Sequence, residues 1–565
     1  MPSRRSDYNL HRMSYEDSIA VLDELPSQKE AHTARRRRLV IFGAMGVFVV
    51  LGAIAVTTMV LMKNGTTESS TSANDSGNKT SGSTTNGGGA NANGGGGGTS
   101  TPDKPVVDPS TGKLALKPTT DPETAPVALT LLAIGDWGGS ALKVSGSNEN
   151  AGSCCIWYKN KIQPETARFK VDFWAQKHVA ALMGMSAKEL KPLAVLSHGD
   201  NFYWNGIAKN NYKYRFQDTF EDTYNDPALM AVPWVNVVGN HDIGGAHFIC
   251  GDGWDKDDNF FECEDTAMMS KYLKERFDLQ KNYVSPNNNR WLLKDHYFVH
   301  SVSKNGVSVD IFNVDTNHAD NHGASQVCCQ CFGYSYKYDY DSTKCDDVKV
   351  GSKMCAGGSA EMYNTCMETL EGWAQDSLTQ ALKDMKASKA TFKVVNTHFS
   401  PQYHMNPQRA QKWYDVLKAG NASLWINGHT HGFDHGISTF GTHLVENGGG
   451  GGIVTKASNS GSDAIVKKYV LRCPLRVLIS CSVWTAGGNP YGFMELSFSK
   501  EWLKVQFATF DKSWVFAGND LTATVKGGVA RGHCWFIPSG QFIAPGSQGV
   551  ECKSSINGAI GAPAR

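Results

Sequence analysis

Five short polar motifs follow apolar runs along this chain, and they constrain its fold more than any other feature. The runs ALTLLAI, PLAVL, VPWVNVV, TFKVV and ASLWI are continuous in aliphatic and β-branched residues, which is typical of strands buried on both faces of a sheet. Since open α/β sheets bind ligands beyond the carboxyl ends of their strands, we expect the motif residues to gather at one edge. The motifs are GDWGG at Gly135, GDNFY at Gly199, GNHD at Gly239, NTHFS at Asn396 and GHTH at Gly428.

The motifs supply side chains of the kinds that bind metal ions. Carboxylate, phenolate and amide oxygens together with imidazoles suit first-row metal ions, not a thiolate site. One carboxylate can bridge two ions, so seven residues suffice for two sets of four ligands, and two adjacent metals form a clamp for hydrolysing phosphate esters. A lone GD or HxH sequence is usually a turn or a surface pair, whereas five motifs in this order indicate a site. The seven residues are Asp136, Asp200, Tyr203, Asn240, His398, His429 and His431.

These motifs resemble those of the calcineurin-like metallophosphoesterases, and within them the purple acid phosphatases, which have a tyrosinate ligand at the position of Tyr203. The stretch from Arg215 to Asp242 is similar to the tartrate-resistant acid phosphatases of animals, as are GDNFYWNG, DIFNVDT and YGFMELSFSKEWLKVQF. The resemblance covers residues 127–516 with interruptions. It implies an α/β fold, a four-layer αββα sandwich of two mixed sheets, which agrees with strands that alternate with helical segments.

The resemblance also implies a role for each site residue. Fe(III) would be held by Asp136, Asp200, Tyr203 and His431, and a divalent ion (Fe, Zn or Mn) by Asp200, Asn240, His398 and His429, with Asp200 bridging. Bound metals lower the pKa of water and give the hydroxide that attacks the phosphate. His241 and His404 match the positions of histidines that could protonate the leaving alkoxide. A surface-loop position is the alternative for His404, while His198 is expected to be a packed strand residue and His435 has no assigned role.

The implied activity is that of an acid phosphatase acting on phosphate monoesters, either small esters or phosphoproteins. A metallophosphodiesterase or nucleotide pyrophosphatase on the same fold is one alternative, and Tyr203 weighs against it. A non-catalytic surface binding protein is another, and the complete ligand set weighs against it. The net charge of +1 says nothing about nucleic acid, and without a basic stripe interleaved with aromatic residues we assign no nucleic-acid role.

An uncharged run of 24 residues, Leu39–Met62, predicts a transmembrane helix ahead of the catalytic domain. At 1.5 Å per residue it spans about 36 Å, enough to cross a bilayer. The run RRRR precedes it and only Lys63 follows closely, which predicts a single-pass type II membrane protein with a cytosolic tail at 1–38. The catalytic domain would then be extracellular or luminal, at the plasma membrane or in a lysosome- or vacuole-like compartment.

Beyond the membrane run, composition predicts a Gly/Ser/Thr-rich stalk at 63–125, a catalytic domain at 126–516 and a C-terminal extension of unassigned role at 517–565. Asn64, Asn74, Asn78 and Asn421 begin glycosylation sequons.

All 14 cysteines lie at or after Cys154, on the predicted non-cytosolic side, which favours disulfides. Two cysteine-rich inserts, near 243–290 and 317–369, follow strands that end at the motif edge. They could be lids, substrate walls or surface decoration. A zinc knot is the alternative for the six-cysteine cluster in the second insert.

Overall fold

The computed structural model of this protein describes most of the region predicted to be catalytic. It covers residues 118–139, 157–158, 161–162, 171, 174–245, 248–254, 258–320, 322–338, 348–452, 480–486, 490–510, 520–542 and 549–554. The predicted tail, the predicted transmembrane run Leu39–Met62 and nearly all of the predicted stalk with its sequons lie outside these residues. Within the described ranges, no helix has both the length and the apolar composition needed to span a membrane.

The described strands form two large sheets and two small hairpins. They are β1 Leu129–Ile134, β2 Trp157–Tyr158, β3 Lys161–Ile162, β4 Val195–Ser197, β5 Trp234–Asn236, β6 Gly251–Trp254, β7 Asp258–Phe260, β8 Trp291–Leu292, β9 Tyr297–Lys304, β10 Val307–Val314, β11 Phe392–Asn396, β12 Leu424–Asn427, β13 Phe433–Ser438, β14 His443–Asn447, β15 Ser480–Thr485, β16 Phe493–Phe498, β17 Trp502–Thr509, β18 Ala530–Pro538 and β19 Val550–Glu551.

Both large sheets are mixed. The first has eight strands in the order β19-β18-β17-β16-β1-β4-β5-β8, and the second has seven in the order β15-β13-β14-β12-β11-β10-β9. In the first sheet β1, β4, β5 and β8 run parallel, and in the second β10, β11, β12 and β14 do so. Antiparallel strands complete each sheet. The prediction of an α/β fold with two mixed sheets is confirmed.

Some of the described α-helices begin with a capping residue that the sequence carries. Asp265, Ser359 and Asn406 each accept a hydrogen bond from a backbone N–H of the first turn of the helix that follows them. The helices are α1 Ala175–Leu190, α2 Tyr212–Arg215, α3 Pro227–Met230, α4 Thr266–Lys281, α5 Ala324–Cys329, α6 Cys331–Tyr338, α7 Ala360–Ala387, α8 Pro401–His404, α9 Pro407–Gly420 and α10 Thr522–Gly527. A π-helix at Phe216–Glu221 and short 3-10 turns at His241–Ile243, Ala356–Gly358 and Gly540–Phe542 complete them.

Central strands of the second sheet, such as β12, bury both of their faces. On β12, Leu424 and Ile426 join the large apolar core that also contains residues of the first sheet, so the two sheets face each other. Trp425 points the other way and packs on Trp413 of α9, with ring centroids 5.4 Å apart. Because successive side chains of a strand alternate between faces, a strand covered on both sides needs an uninterrupted apolar run, as the sequence shows.

Three buried histidines join the two sheets through a chain of hydrogen bonds. Nδ1 of His435 on β13 lies 2.8 Å from Nε2 of His533 on β18, and Nε2 of His435 lies 2.8 Å from Nδ1 of His443 on β14. Burial lowers the pKa of His443 to about 3 and that of His435 well below its ordinary value. These two rings are therefore neutral at physiological pH. The sequence assigned no role to His435, and the structure makes it the centre of this cluster.

Disulfides tie both inserts and the C-terminal segment. The described pairs are Cys250–Cys263, Cys328–Cys366, Cys329–Cys355 and Cys534–Cys552. Cys331 is disulfide-bonded as well. The prediction of disulfides is confirmed for these cysteines. The zinc knot is wrong for the second insert, because the five cysteines of the cluster that the structure describes are in disulfides and have no thiolate to bind zinc.

Part of the segment predicted as a C-terminal extension belongs to the first sheet. Strand β18 pairs with β17 along its length, and β19 pairs with β18. No role could be predicted for this segment, because an isolated strand without a motif carries no local signal of the strand it pairs with.

The chain enters the first sheet at the end opposite to the motifs. Leu129, the first residue of β1, pairs with Phe498, the last of β16. In the turn that follows β16, the carboxylate of Glu501 accepts hydrogen bonds at 2.6 to 2.9 Å from the backbone N–H and hydroxyl groups of Thr119 and Thr120. The motif residues lie past the other end of β1. The length of this strand therefore separates the entry of the chain from the motif edge.

Candidate metal centre

All seven residues predicted to bind metal lie at one edge of the molecule, where parallel strands of both sheets end. β1, β4 and β5 bring their motifs there from the first sheet, and β11 and β12 bring theirs from the second. Two groups have ligand atoms that all lie within 4.8 Å of one another: Asp136, Asp200 and His431, and Asp200, His398 and His429. Asp200 belongs to both groups.

Sharp backbone turns direct these side chains inward. Asp136, Asp200, His429 and His431 have φ angles of 55°, 52°, 71° and 49°, in the left-handed region that residues with a side chain seldom adopt. Neighbouring glycines make room for the carboxylates. A Cβ on Gly239 would lie 2.2 Å from Oδ1 of Asp200. The glycine of GNHD is therefore required by packing at the site.

One group of ligand atoms surrounds the phenol oxygen of Tyr203. This Oη lies 3.1 Å from Oδ1 of Asp136, 3.1 Å from Nε2 of His431 and 2.8 Å from Oδ2 of Asp200. Nε2 of His431 is 3.3 Å from Oδ1 of Asp136. Ligands placed about 2.1 Å from a common ion at angles between a right angle and the tetrahedral angle stand about 3.0 to 3.4 Å apart. The observed separations, apart from the shorter contact to Asp200, fit one ion.

A second group surrounds Nε2 of His398. This nitrogen lies 3.1 Å from Oδ1 of Asn240, 3.3 Å from Nδ1 of His429 and 3.4 Å from Oδ1 of Asp200. These separations fit a second ion by the same geometry. Oδ2 of Asp200 faces Tyr203 while Oδ1 faces His398. The carboxylate of Asp200 therefore stands between the two positions, where a bridging ligand has to be.

The hydrogen bond made by the far side of His398 shows why a cation belongs here. Nδ1 of His398 lies 2.7 Å from the backbone oxygen of His198 and must donate to it, because a carbonyl only accepts. In the neutral ring Nε2 then carries a lone pair, and it faces oxygen atoms of Asn240 and Asp200 that are acceptors too. Converging lone pairs repel unless a positive charge lies among them, and a metal ion supplies that charge.

Burial disfavours the charged forms of the side chains in these two groups. It raises the pKa of Asp136 and of Tyr203 well above their ordinary values and lowers the pKa of His429 well below its own. Both oxygen ligands must lose a proton to bind an ion as anions. The two ligand groups are thus suited to strongly charged cations. Binding of such a cation releases protons.

The two histidines predicted to be proton donors both lie at the site. Nδ1 of His241 donates to the backbone oxygen of Trp204 at 2.6 Å, and the backbone N–H of His241 donates to Oδ1 of Asp200 at 3.1 Å. His404 is only 4% exposed, so the surface-loop alternative is wrong. Its Nδ1 accepts from the backbone N–H of Ser400 at 3.0 Å, which leaves Nε2 as the position of the proton in the neutral ring. The rings of His404 and His429 have centroids 4.7 Å apart.

His198 is packed in the interior, as predicted, although it lies just past the end of β4 and not within the strand. It is fully buried, its Nδ1 lies 2.6 Å from Oδ1 of Asn396, and its Nε2 lies 3.0 Å from Nδ2 of Asn447. Through its backbone oxygen it also orients His398.

Asp242 and His322 are the site residues that the sequence did not reveal. The carboxylate of Asp242 accepts hydrogen bonds from the backbone N–H groups of Asn201 at 2.9 Å, Phe202 at 3.1 Å and Gly239 at 2.8 Å, so it ties two motif loops together. Its position in GNHD was the available signal. His322, from the second insert, lies beside His429, and no motif marks it.

Comparisons with known proteins agree with this geometry. The family model described as calcineurin-like phosphoesterase matches residues 129–433. The tartrate-resistant acid phosphatase type 5 of Sus scrofa is 36% identical over 124 residues, 22% of this chain and 28% of that protein. Purple acid phosphatase 3 of Arabidopsis thaliana is 26% identical over 310 residues, 53% of this chain and 63% of that protein. This chain therefore spans less than two thirds of either relative.

Among solved structures, GAP50, the anchor in the inner membrane complex of Plasmodium, is 13% identical with a TM-score of 0.38. The match covers 68% of this chain and 85% of that one. A TM-score of this size carries no argument about function.

Proposed function

The chain belongs to the calcineurin-like phosphoesterase family, and from this premise we propose that it is an acid phosphatase that hydrolyses phosphate monoesters with two metal ions. The observation that carries the proposal is the pair of ligand groups that share Asp200. Apart from the shorter contact between Tyr203 and Asp200, each group has atoms at separations that a single ion would impose. Tyr203 provides a phenol oxygen, as in the purple acid phosphatases.

The residues present fit the metals that the resemblance implies. Asp136, Asp200, Tyr203 and His431 would hold Fe(III), because three anionic oxygens favour a hard, trivalent ion. Asp200, Asn240, His398 and His429 would hold Fe(II), Zn(II) or Mn(II). When bound, the two ions supply a nucleophile at acidic to neutral pH and neutralise charge on the phosphoryl group.

The chain's own residues orient these ligands and move the proton. The carbonyl of His198 fixes the tautomer of His398, and Asp242 fixes the loops that carry Asp200 and Asn240. His241 is held through Nδ1, so its Nε2 is the atom that, when protonated, gives a proton to the leaving alkoxide. His404 carries its proton on Nε2 and stays neutral, since burial lowers its pKa to about 3. We assign it a hydrogen bond to the substrate, not the transfer of a proton.

The test compares Asp200→Asn with Asp310→Asn. Asp310 lies on β10, where it accepts hydrogen bonds from Ser301 and Ser388 and does not belong to either ligand group. Asp200→Asn should lose metal and lower phosphomonoesterase activity by more than the about 10- to 100-fold typical of losing a residue that only supports a ligand. Asp310→Asn should retain metal and activity.

The substrate panel in the same experiment should contain a chromogenic phosphomonoester, a phosphodiester and a nucleoside diphosphate. Faster hydrolysis of the diester would favour the metallophosphodiesterase, and faster hydrolysis of the diphosphate would favour the nucleotide pyrophosphatase. No turnover of any substrate by fully metal-loaded protein would favour the non-catalytic binding protein.

We also propose that the protein is anchored as a single-pass type II membrane protein, with its catalytic domain extracellular or luminal. The support is the uncharged run Leu39–Met62 after RRRR, together with disulfides, which persist in oxidising compartments. In intact vesicles a tag at residue 1 on the cytosolic face and a tag at residue 565 should differ in their exposure to added protease. Cytosolic exposure of the tag at residue 565 would contradict this topology.

A further inference from the structure

His322 brings the second insert to the metal centre. Its ring centroid lies 5.5 Å from that of His429, with the ring planes at 77° to each other. The side chain is half-buried. Among the described residues neither of its ring nitrogens has a hydrogen-bond partner, whereas His398, His241 and His404 are each held through Nδ1. A histidine with free ring nitrogens beside a ligand of the divalent ion has donor and acceptor capacity that the protein itself does not use.

The residue two positions before His322 is anchored to the rest of the site. The carboxylate of Asp320 accepts hydrogen bonds from the backbone N–H of Asn406 at 2.6 Å and its side-chain amide at 2.9 Å, and it pairs with Arg409. The backbone N–H of Asp320 donates to the carbonyl of His404 at 2.9 Å. Arg409 also pairs with Glu371 of α7 at 2.6 Å, which links the loop to a long helix.

The helix that follows His322 is anchored as well. Gly323 precedes α5, and a Cβ there would lie 2.2 Å from the carbonyl oxygen of Ala319, so the turn requires glycine. Disulfides from Cys328 and Cys329 then tie α5 to α7 and to Cys355. The chain between these anchors is short, and His322 has a φ of 57°. A backbone in this region persists only where its surroundings determine it, so the fold holds the imidazole in place.

We propose that His322 is a substrate-binding residue, whose ring N–H donates a hydrogen bond to a non-bridging oxygen of the bound phosphate. The inference rests on the proposed phosphatase function and deepens it. A phosphate held by the two ions presents oxygens beside His429, and a charged oxygen acceptor is the partner that an unused imidazole N–H suits best. No bond to His322 forms or breaks. The second insert is then a wall of the substrate site, not surface decoration.

The test uses His322→Ala in the metal-loaded protein, with inorganic phosphate as the probe. Loss of a hydrogen bond to a charged group should weaken inhibition by phosphate by about tenfold or more and raise KM more than it lowers kcat. Metal content should not change. His322→Gln, which keeps an N–H donor, should recover part of the affinity. Ser325→Ala, in the first turn of α5, is the matched control and should leave all three values near those of the wild type.

Two results would overturn the inference. Unchanged inhibition by phosphate in His322→Ala would show that the ring does not contact substrate, and loss of metal would show that it supports the ions instead. If His322→Ala does not fold, His322→Leu fills a similar volume and gives the same comparison. A wild-type protein that binds phosphate through His322 but hydrolyses no monoester would contradict the phosphatase function alone.

Discussion

His435 and His443, two of the three histidines that join the sheets, should make this protein lose stability in acid, because burial lowers the pKa of both. The variant His443→Asn measures the contribution of His443. The asparagine amide can still bond to Nε2 of His435 but does not titrate. His443 is fully buried, and burial lowers its pKa to about 3, against about 6.5 in an unfolded chain. Between these values the unfolded state binds a proton that the folded state does not. Stability is therefore present above pH 6.5 and falls as the pH drops towards 3.

The magnitude follows from the size of the shift. Each pH unit within this window costs about 1.4 kcal/mol, so going from pH 6.5 to pH 4.5 should remove about 2 to 3 kcal/mol through His443. His435 adds to the loss with the same sign, since burial lowers its pKa as well. Other titrating groups contribute to the pH dependence of stability in both the wild type and His443→Asn. The free energy of unfolding should therefore fall by about 2 to 3 kcal/mol less in His443→Asn than in the wild type.

Urea unfolding of the disulfide-intact, metal-free proteins at pH 6.5 and pH 4.5 measures how much the free energy of unfolding falls between these pH values. The fall in the wild type is then compared with the fall in His443→Asn. Leu444→Val is the control, because it removes one methylene from the next residue of β14 and should cost about 1 kcal/mol at both pH values. If His443→Asn differs from the wild type by the same amount at both pH values, the buried ring is not the source of the acid sensitivity, and the reasoning fails.

Three further predictions concern the site. His241→Ala should keep both metals and slow hydrolysis of alkyl phosphates by about a hundredfold or more. The effect on nitrophenyl phosphate should be smaller, because its leaving group departs readily as an anion. Equal slowing of both would contradict proton donation. The oxidised, iron-loaded protein should be pink to purple, and Tyr203→Phe should abolish the visible absorption band while circular dichroism stays unchanged; a colourless wild type with two bound metals, neither of them iron, would exclude the purple class. Mild reduction should change activity on bulky substrates before the protein unfolds, because Cys328 and Cys329 anchor the insert that carries His322; activity that falls only with unfolding would contradict this.

The clustering of the seven candidate metal ligands could be predicted because each of them belongs to a local motif. A ligand such as Asp136 or Asn240 follows directly after an apolar strand, and parallel strands of a sheet end at the same edge, so position along the chain is enough to place it. The glycines of the motifs reinforce the signal, since the close approach of Gly239 to Asp200 leaves no room for another residue.

The features that escaped prediction depend on contacts between distant segments. His435 and His533 are 98 residues apart, and nothing near either one indicates the other. The position of His322 results from an ion pair on one side and two disulfides on the other, and disulfide connectivity cannot be read from cysteine spacing. The carboxylate of Asp242 accepts hydrogen bonds from backbone N–H groups, which every residue except proline has. Its partners therefore cannot be identified from the sequence.

The entry of the chain beside Glu501 has a practical consequence for handling the protein. The segment at 549–554 reaches the same end of the molecule, where the backbone N–H of Lys553 donates to the carboxylate of Glu123 at 2.7 Å. A fusion partner, an affinity tag or a solid support joined before Thr119 or after residue 554 would thus attach at the end of β1 remote from Asp136. Protein immobilised by either route should leave the candidate metal centre facing the solution, so its metal content and any phosphatase activity should match those of the free protein.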